Sequence, residues 1–209
     1  MKRILLLTGL FFCLLLLNGC LTTLHPIFTE KDLVFDPRLT GNWKKSKDSS
    51  SARYRQANSE DLEELSPSLQ RNAARIYIME EKDAQGKTRS HSYAFLVKLG
   101  KYYYLDYYPG ALRNNEPAGE FFAAHYVPMH RIYRIKFTGN HSFDIQQLDA
   151  GFLEKLILNK QVRLKHEVTD DGSYLITAPT ADLQQYLIKY SDTPEAYNND
   201  NSDTYTRIN

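Results

Sequence analysis

The sequence predicts a mainly β domain of about nine short antiparallel strands with two or three short helices. Three observations carry this. Apolar and polar residues alternate with a period of two in several runs between residues 42 and 177, which is the spacing of a half-buried strand. Glycine-bearing turn signals such as Gly100-Lys101, Thr138-Gly139-Asn140 and Asp170-Asp171-Gly172 sit between those runs. Only a few stretches carry the i, i+3, i+4 spacing of an amphipathic helix.

In chain order, residues 42–45, 53–56 and 75–80 are the first strand candidates. A short acidic helix begins at Ser59, carries Leu62 and Leu65 and ends before Pro67. Residues 91–108, HSYAFLVKLGKYYYLDYY, form the clearest hairpin, with Gly100 at the first central position of a type II′ turn. Pairing about that turn sets Leu99 opposite Tyr102, Val97 opposite Tyr104, Phe95 opposite Asp106 and Tyr93 opposite Tyr108. The other face, with Ala94, Leu96, Tyr103, Leu105 and Tyr107, is also apolar, so this hairpin should be covered on both sides.

Tyr133, Ile135 and Phe137 alternate with Arg134 and Lys136 before the chain turns back through Phe143 and Ile145. Asp149 is placed to cap a helix near 149–159 that buries Phe152, Leu153, Leu156 and Ile157. A third hairpin runs through Val162, Leu164, His166 and Val168 and returns from Tyr174 to Thr177. Thr180 is placed to cap a helix near 180–190 with Leu183, Tyr186, Leu187 and Tyr190 on one face. Residues 191–209 offer little to bury and read as a disordered tail. A closed or nearly closed barrel removes the exposed strand edges, while a sandwich or an open, helix-covered sheet stays open as an alternative.

The amino terminus has a different character. Lys2 and Arg3 precede residues 4–17, an apolar run interrupted only by Thr8 and Gly9, in the order of a secretory signal peptide, residues 1–19. Fourteen residues fall short of the roughly 20 needed to cross about 30 Å of hydrocarbon. The run ends in Leu17-Asn18-Gly19-Cys20, which resembles the lipobox of bacterial lipoprotein precursors; Asn18 stands where that family usually has Ala, Ser or Thr. The resemblance implies diacylglycerol on the Cys20 sulfur, cleavage between Gly19 and Cys20, and acylation of the new amino terminus. The acyl chains would be the membrane anchor, since two or three together hold a soluble domain on a bilayer where one does not. Leu21 after the cysteine, by resemblance to enterobacterial lipoproteins, implies the outer membrane, facing the periplasm. Residues 20–37 then read as a lipid-anchored tether with a reach of roughly 55 Å, part of it folding back because Leu33, Val34 and Phe35 are apolar.

Composition narrows the function. The chain has 209 residues with 26 Lys and Arg against 25 Asp and Glu, and removal of Lys2 and Arg3 with the leader leaves the domain slightly acidic. No nucleic-acid partner is expected from that balance. Of two cysteines, Cys13 leaves with the leader and Cys20 is the lipidation site, so cysteine nucleophiles, Cys-type zinc sites and disulfides are excluded from the domain. No cofactor is expected beyond the covalent lipid.

Gly41-Asn42-Trp43 resembles the G-x-W opening of lipocalin-like barrels, and Trp43 is the only tryptophan. The resemblance implies a cup whose narrow end Trp43 closes and whose wall is formed by the Tyr-rich strands. A helix between late strands departs from that family's simple meander and leaves the cavity open to question. Trp43, Phe95, Tyr102, Tyr104, Asp106 and Tyr108 are the candidate pocket residues. On an inward face Asp106 must be hydrogen-bonded, paired or raised in pKa. It is either a polar anchor in an aromatic pocket or a strand-end carboxylate held by a neighbour. No serine-hydrolase or phosphate-loop motif is present, and His125 and His130, five residues apart, do not read as a metal pair.

The expectation is therefore a non-catalytic binding domain on the envelope membrane, for a small apolar or amphipathic ligand. The alternative is a structural or assembly factor docking on another envelope protein. A weaker alternative, a hydrolase, requires His125 or His130 to meet Asp106 within hydrogen-bond reach. An empty apolar cavity inside the barrel favours the cup, and a filled interior favours the assembly factor.

Overall fold

The computed structural model describes residues 21–48, 50–110 and 125–208. It is mainly β, built on a closed eight-stranded antiparallel barrel. The strands are β1 (Thr22–Thr23), β2 (Gly41–Lys45), β3 (Ser51–Gln56), β4 (Ile76–Lys82), β5 (Thr88–Leu99) and β6 (Tyr102–Pro109). They continue with β7 (His130–Phe137), β8 (Ser142–Leu148), β9 (His166–Val168), β10 (Tyr174–Ile176) and β11 (Tyr197–Ile208). Three short α-helices are α1 (Pro67–Gln70), α2 (Ala150–Leu158) and α3 (Thr180–Lys189). No helix of the described residues is long and apolar enough to cross a membrane.

β2 to β8 pair successively, and β11 closes the barrel between β8 and β2. The excursion of α2, β9, β10 and α3 is thus inserted before the last barrel strand. β1 pairs antiparallel with the start of β7 and parallel with β10, which carries β9. These three extend the sheet outside the barrel.

The β5–β6 hairpin has the predicted register, including Phe95 opposite Asp106 and Val97 opposite Tyr104. Gly100 has φ +58°, the sign its turn position demands and L-residues resist. Both faces are buried, as expected. Ala94, Leu96 and Leu105 face the barrel interior with Trp43, Tyr54, Tyr77, Phe143 and Tyr205. Phe95, Val97 and Tyr104 lie on the outer wall, under a layer formed by residues 21–33, the segment around Leu62, α2 and α3.

That outer layer corrects three expectations. Residues 21–37 are not a free tether: Ile27 is fully buried, Phe28 and Leu33 nearly so, and Val34 N donates to Leu96 O at 2.9 Å. Burying these apolar groups outweighs the entropy of ordering the segment. Residues 191–209 are not a disordered tail. From Tyr197 to Ile208 they are β11, held by main-chain ladders to β2 and β8 and by buried Tyr197 and Tyr205. Thr180 is not the cap of α3. Pro179 occupies that position, and the Thr180 hydroxyl donates to Pro26 O at 2.8 Å, tying the helix to the amino-terminal segment.

The Asp149 cap does form, accepting from Phe152 N at 2.7 Å, and Leu153 and Leu156 are buried below it. Around Ser59 the chain makes a single 3-10 turn, Glu60–Leu62, with Leu62 fully buried.

Candidate functional site

Concave spaces flank the β5–β6 wall both inside the barrel and outside it. The barrel interior is closed at one end. Trp43 packs edge-on against Phe143 at 4.6 Å, and Phe143 stacks on Tyr205 at 4.7 Å. Trp43 Nε1 donates to Leu39 O, and the Arg207 guanidinium covers the indole at 4.3 Å while donating to Thr40 O and Arg38 O. Gly41, with φ +128°, leaves room for that guanidinium, which a Cβ would meet at 2.2 Å. Trp43 therefore stands at the closed end, and its surroundings are filled by side chains.

At the other end is a recess of about 560 Å³ to which all eight barrel strands contribute. Its aromatic floor includes Tyr107, Tyr133 and Tyr205, and the Tyr54 and Tyr107 hydroxyls meet at 2.5 Å. Burial pushes the phenols of Tyr54, Tyr107 and Tyr205 well above their ordinary range, so they act as neutral hydrogen-bonding groups. The recess also carries Lys45, Glu81, Arg131 and Asp203. Lys45 pairs with Glu81, and Asp203 accepts from Ser46 Oγ at 2.8 Å. This is a largely polar space carrying the Lys45–Glu81 ion pair, not the apolar cup the sequence suggested.

The apolar space lies on the outer wall. A cleft of about 770 Å³ opens between residues 24–30, residues 64–69, Phe95, Tyr108 and residues 127–130. Phe28 packs on Phe95 at 4.4 Å to form one wall, and Leu65 and Leu69 face it. His130 lines its base with the ring of Tyr108 at 4.7 Å. Behind His130, the fully buried Asp106 accepts from Ile27 N at 3.0 Å and meets His130 Nδ1 at 2.7 Å. Burial raises the Asp106 pKa, while the His130 contact and the Ile27 N–H pull it back. The carboxylate orients the imidazole through Nδ1.

The six candidate pocket residues divide accordingly. Phe95 and Tyr108 line the cleft and Asp106 holds its polar group, but Trp43 belongs to the opposite, filled end of the barrel. Tyr102 and Tyr104 do not line this cleft; Tyr102 borders a separate polar recess with Arg134, Lys136 and Asp144. The Tyr102 hydroxyl donates to Asp192 at 2.6 Å, and Tyr104 is buried beneath α3 with its hydroxyl against Tyr197 at 3.2 Å. The reason is parity: Tyr102, Tyr104, Asp106 and Tyr108 share the outer face of β6, and only its far end reaches the cleft. Cys20 lies outside the described residues. His125 is exposed, whereas His130 converges with Asp106 as a hydrolase would require. Among the described residues, His130 is hydrogen-bonded to no serine or threonine, and no cluster of His, Asp and Glu suited to a metal ion is present.

Phe28 and Leu69 were not singled out in the sequence, and Leu65 was read only as part of a short helix. Leu62, Leu65 and Leu69 carry the i, i+3, i+7 signal that would have marked an apolar face there, but nothing local shows which wall they meet. No protein-family model matches the chain, and neither a curated protein nor a solved structure does.

Proposed function

We propose that this chain is a bacterial cell-envelope lipoprotein, anchored through lipid on Cys20 at the outer membrane on its periplasmic side, that works by binding a small amphipathic molecule in the outer-wall cleft and not by catalysis. The observation that carries the reading is the cleft itself, a volume walled by Phe28, Leu65, Leu69 and Phe95 with a few polar groups, His130 among them, the composition typical of small-molecule sites. The anchor rests on the resemblance of Leu17-Asn18-Gly19-Cys20 to a lipobox behind a basic and apolar leader. The lack of a nucleophile bonded to His130 among the described residues favours binding over hydrolysis.

One set of strains tests both halves. Wild type should incorporate palmitate and Cys20→Ser should not; equal labelling overturns the anchor. Native mass spectrometry of the unlipidated Cys20→Ser chain from a periplasmic extract should show a stoichiometric small-molecule adduct. Adding Leu69→Arg, which puts a charge in the cleft from a half-buried position, should remove that adduct. A bare mass for Cys20→Ser, or an adduct indifferent to Leu69→Arg, overturns the cleft as the binding site.

A further inference from the structure

The described fold begins one residue after the proposed lipidation site. Leu21 is buried, and Thr22 and Thr23 are already held in β1, with Arg131 and His130 of β7 on one side and Leu175 and Ile176 of β10 on the other. Leu24 N then donates to Ile176 O at 2.8 Å, so the ladder runs without a break from residue 22 into the cleft wall. Consecutive Cα atoms are about 3.8 Å apart, which puts Cys20 directly against the domain and at most about 14 Å from Leu24. Lipid on Cys20 therefore leaves no slack chain between anchor and fold, and the domain must lie against the headgroup layer, itself only about 5–8 Å deep on each side.

The surface close to that point is apolar and exposed. Leu24 and Val127 line the same cleft and keep 36% and 56% of their surface open. The pairing of Thr23 with His130 explains the grouping, since it carries Leu24 toward the residues that precede β7. Apolar side chains exposed beside a lipid-bearing residue leave water by entering the boundary between headgroups and acyl chains. The cleft mouth also carries Glu30 and Glu64, both exposed, which suits a headgroup layer without net negative charge. We infer that the short attachment holds the Leu24–Val127 rim against the bilayer, so that the cleft opens at the lipid surface and not toward the aqueous periplasm. This rests on lipid at Cys20, and the test separates the two statements.

Val127→Cys and, as the distant site, Asn140→Cys are made in the full-length precursor; once Cys13 leaves with the leader, each mature chain carries a single free thiol for a bimane label. Asn140 is exposed in the turn beyond the far end of β7, which lies about 23 Å from His130 along the strand. The mature chains are placed in phosphatidylcholine vesicles bearing a nitroxide on a fraction of the headgroups. An intact mass lacking lipid overturns the anchor reading, and the inference with it. With lipid present, bimane at Val127 should be quenched at least about threefold more than at Asn140. A Gly-Ser insert of about 12 residues between Cys20 and Leu21 gives the domain a reach of about 20 Å and should bring the two positions within about 1.5-fold of each other. Equal quenching at both positions without the insert, or a Val127 preference that the insert leaves unchanged, overturns the inference and leaves the anchor in place.

Discussion

The two faces of β5 and β6 are similarly apolar in sequence, yet they end in different surroundings. The inner face meets side chains from every other barrel strand, and Trp43, Phe143 and Tyr205 fill the narrow end. The outer face meets separate segments that fold onto it from the amino terminus, the 59–75 region, α2 and α3. Where those segments meet imperfectly, between Phe28 and Leu69, the wall stays open as the cleft. A barrel interior is bounded by a continuous ladder of strands, so its packing is set collectively, whereas an outer wall is covered piece by piece. The difference teaches that an apolar face on a barrel strand does not by itself point to the lumen. In this molecule the aromatic stripe containing Asp106 is the outer one.

Three perturbations sharpen or break that contrast. The largest effect belongs to closure. A chain ending at Ala196 lacks β11, which leaves β2 and β8 with unpaired edges and removes Tyr205 from the interior. It should lose cooperative urea unfolding, since the barrel is then open; a sigmoidal transition at the wild-type midpoint would show that β11 is dispensable.

Next is the inner core. Phe143 is fully buried and touches Trp43, Tyr54, Phe137 and Tyr205, so Phe143→Ala should cost about 3–5 kcal/mol through lost burial and a cavity. Equilibrium urea unfolding measures it. A loss below about 1 kcal/mol would mean that the narrow end collapses around the gap and is less tightly packed than its contacts imply.

The smallest effect, and the one specific to the outer wall, is a pH dependence. Burial raises the Asp106 pKa above its ordinary 3.8, so folding favours its protonated form. The stability from this group is fully present below about pH 3.8 and declines as pH rises through the elevated folded value. Asp106→Asn has no such titration. The stability difference between wild type and Asp106→Asn should therefore shift toward the variant as pH rises above about 3.8, read by urea unfolding at each pH. A shift toward wild type would show that the contacts from His130 and Ile27 outweigh burial.

Local patterns in the chain were enough for much of this architecture. Gly100 specified both the turn and the register of β5 and β6, because a two-residue turn fixes which residues face each other. Asp149 announced α2, since a cap acts on main-chain groups only three residues away. β11 was illegible for the opposite reason. Its run of Asn, Asp, Ser and Thr has no apolar alternation, and its order comes from ladders to β2 and β8 that lie far away in the chain.

The candidate site divides along the same line. Phe95, Asp106 and Tyr108 were legible as one face of a strand because the period of two places them together. His130 became their partner only when β6 and β7 paired, setting Asp106 opposite Ile132 and bringing the imidazole within 2.7 Å. By itself the sequence determined the β class, the turns, the hairpin register and the alternation of faces, all of which follow from short-range sterics and periodicity. Tertiary structure alone decided which face became the lumen, which segment closed the barrel and where an apolar cleft remained. Those outcomes depend on burial shared between segments far apart in the chain, and no local pattern encodes them.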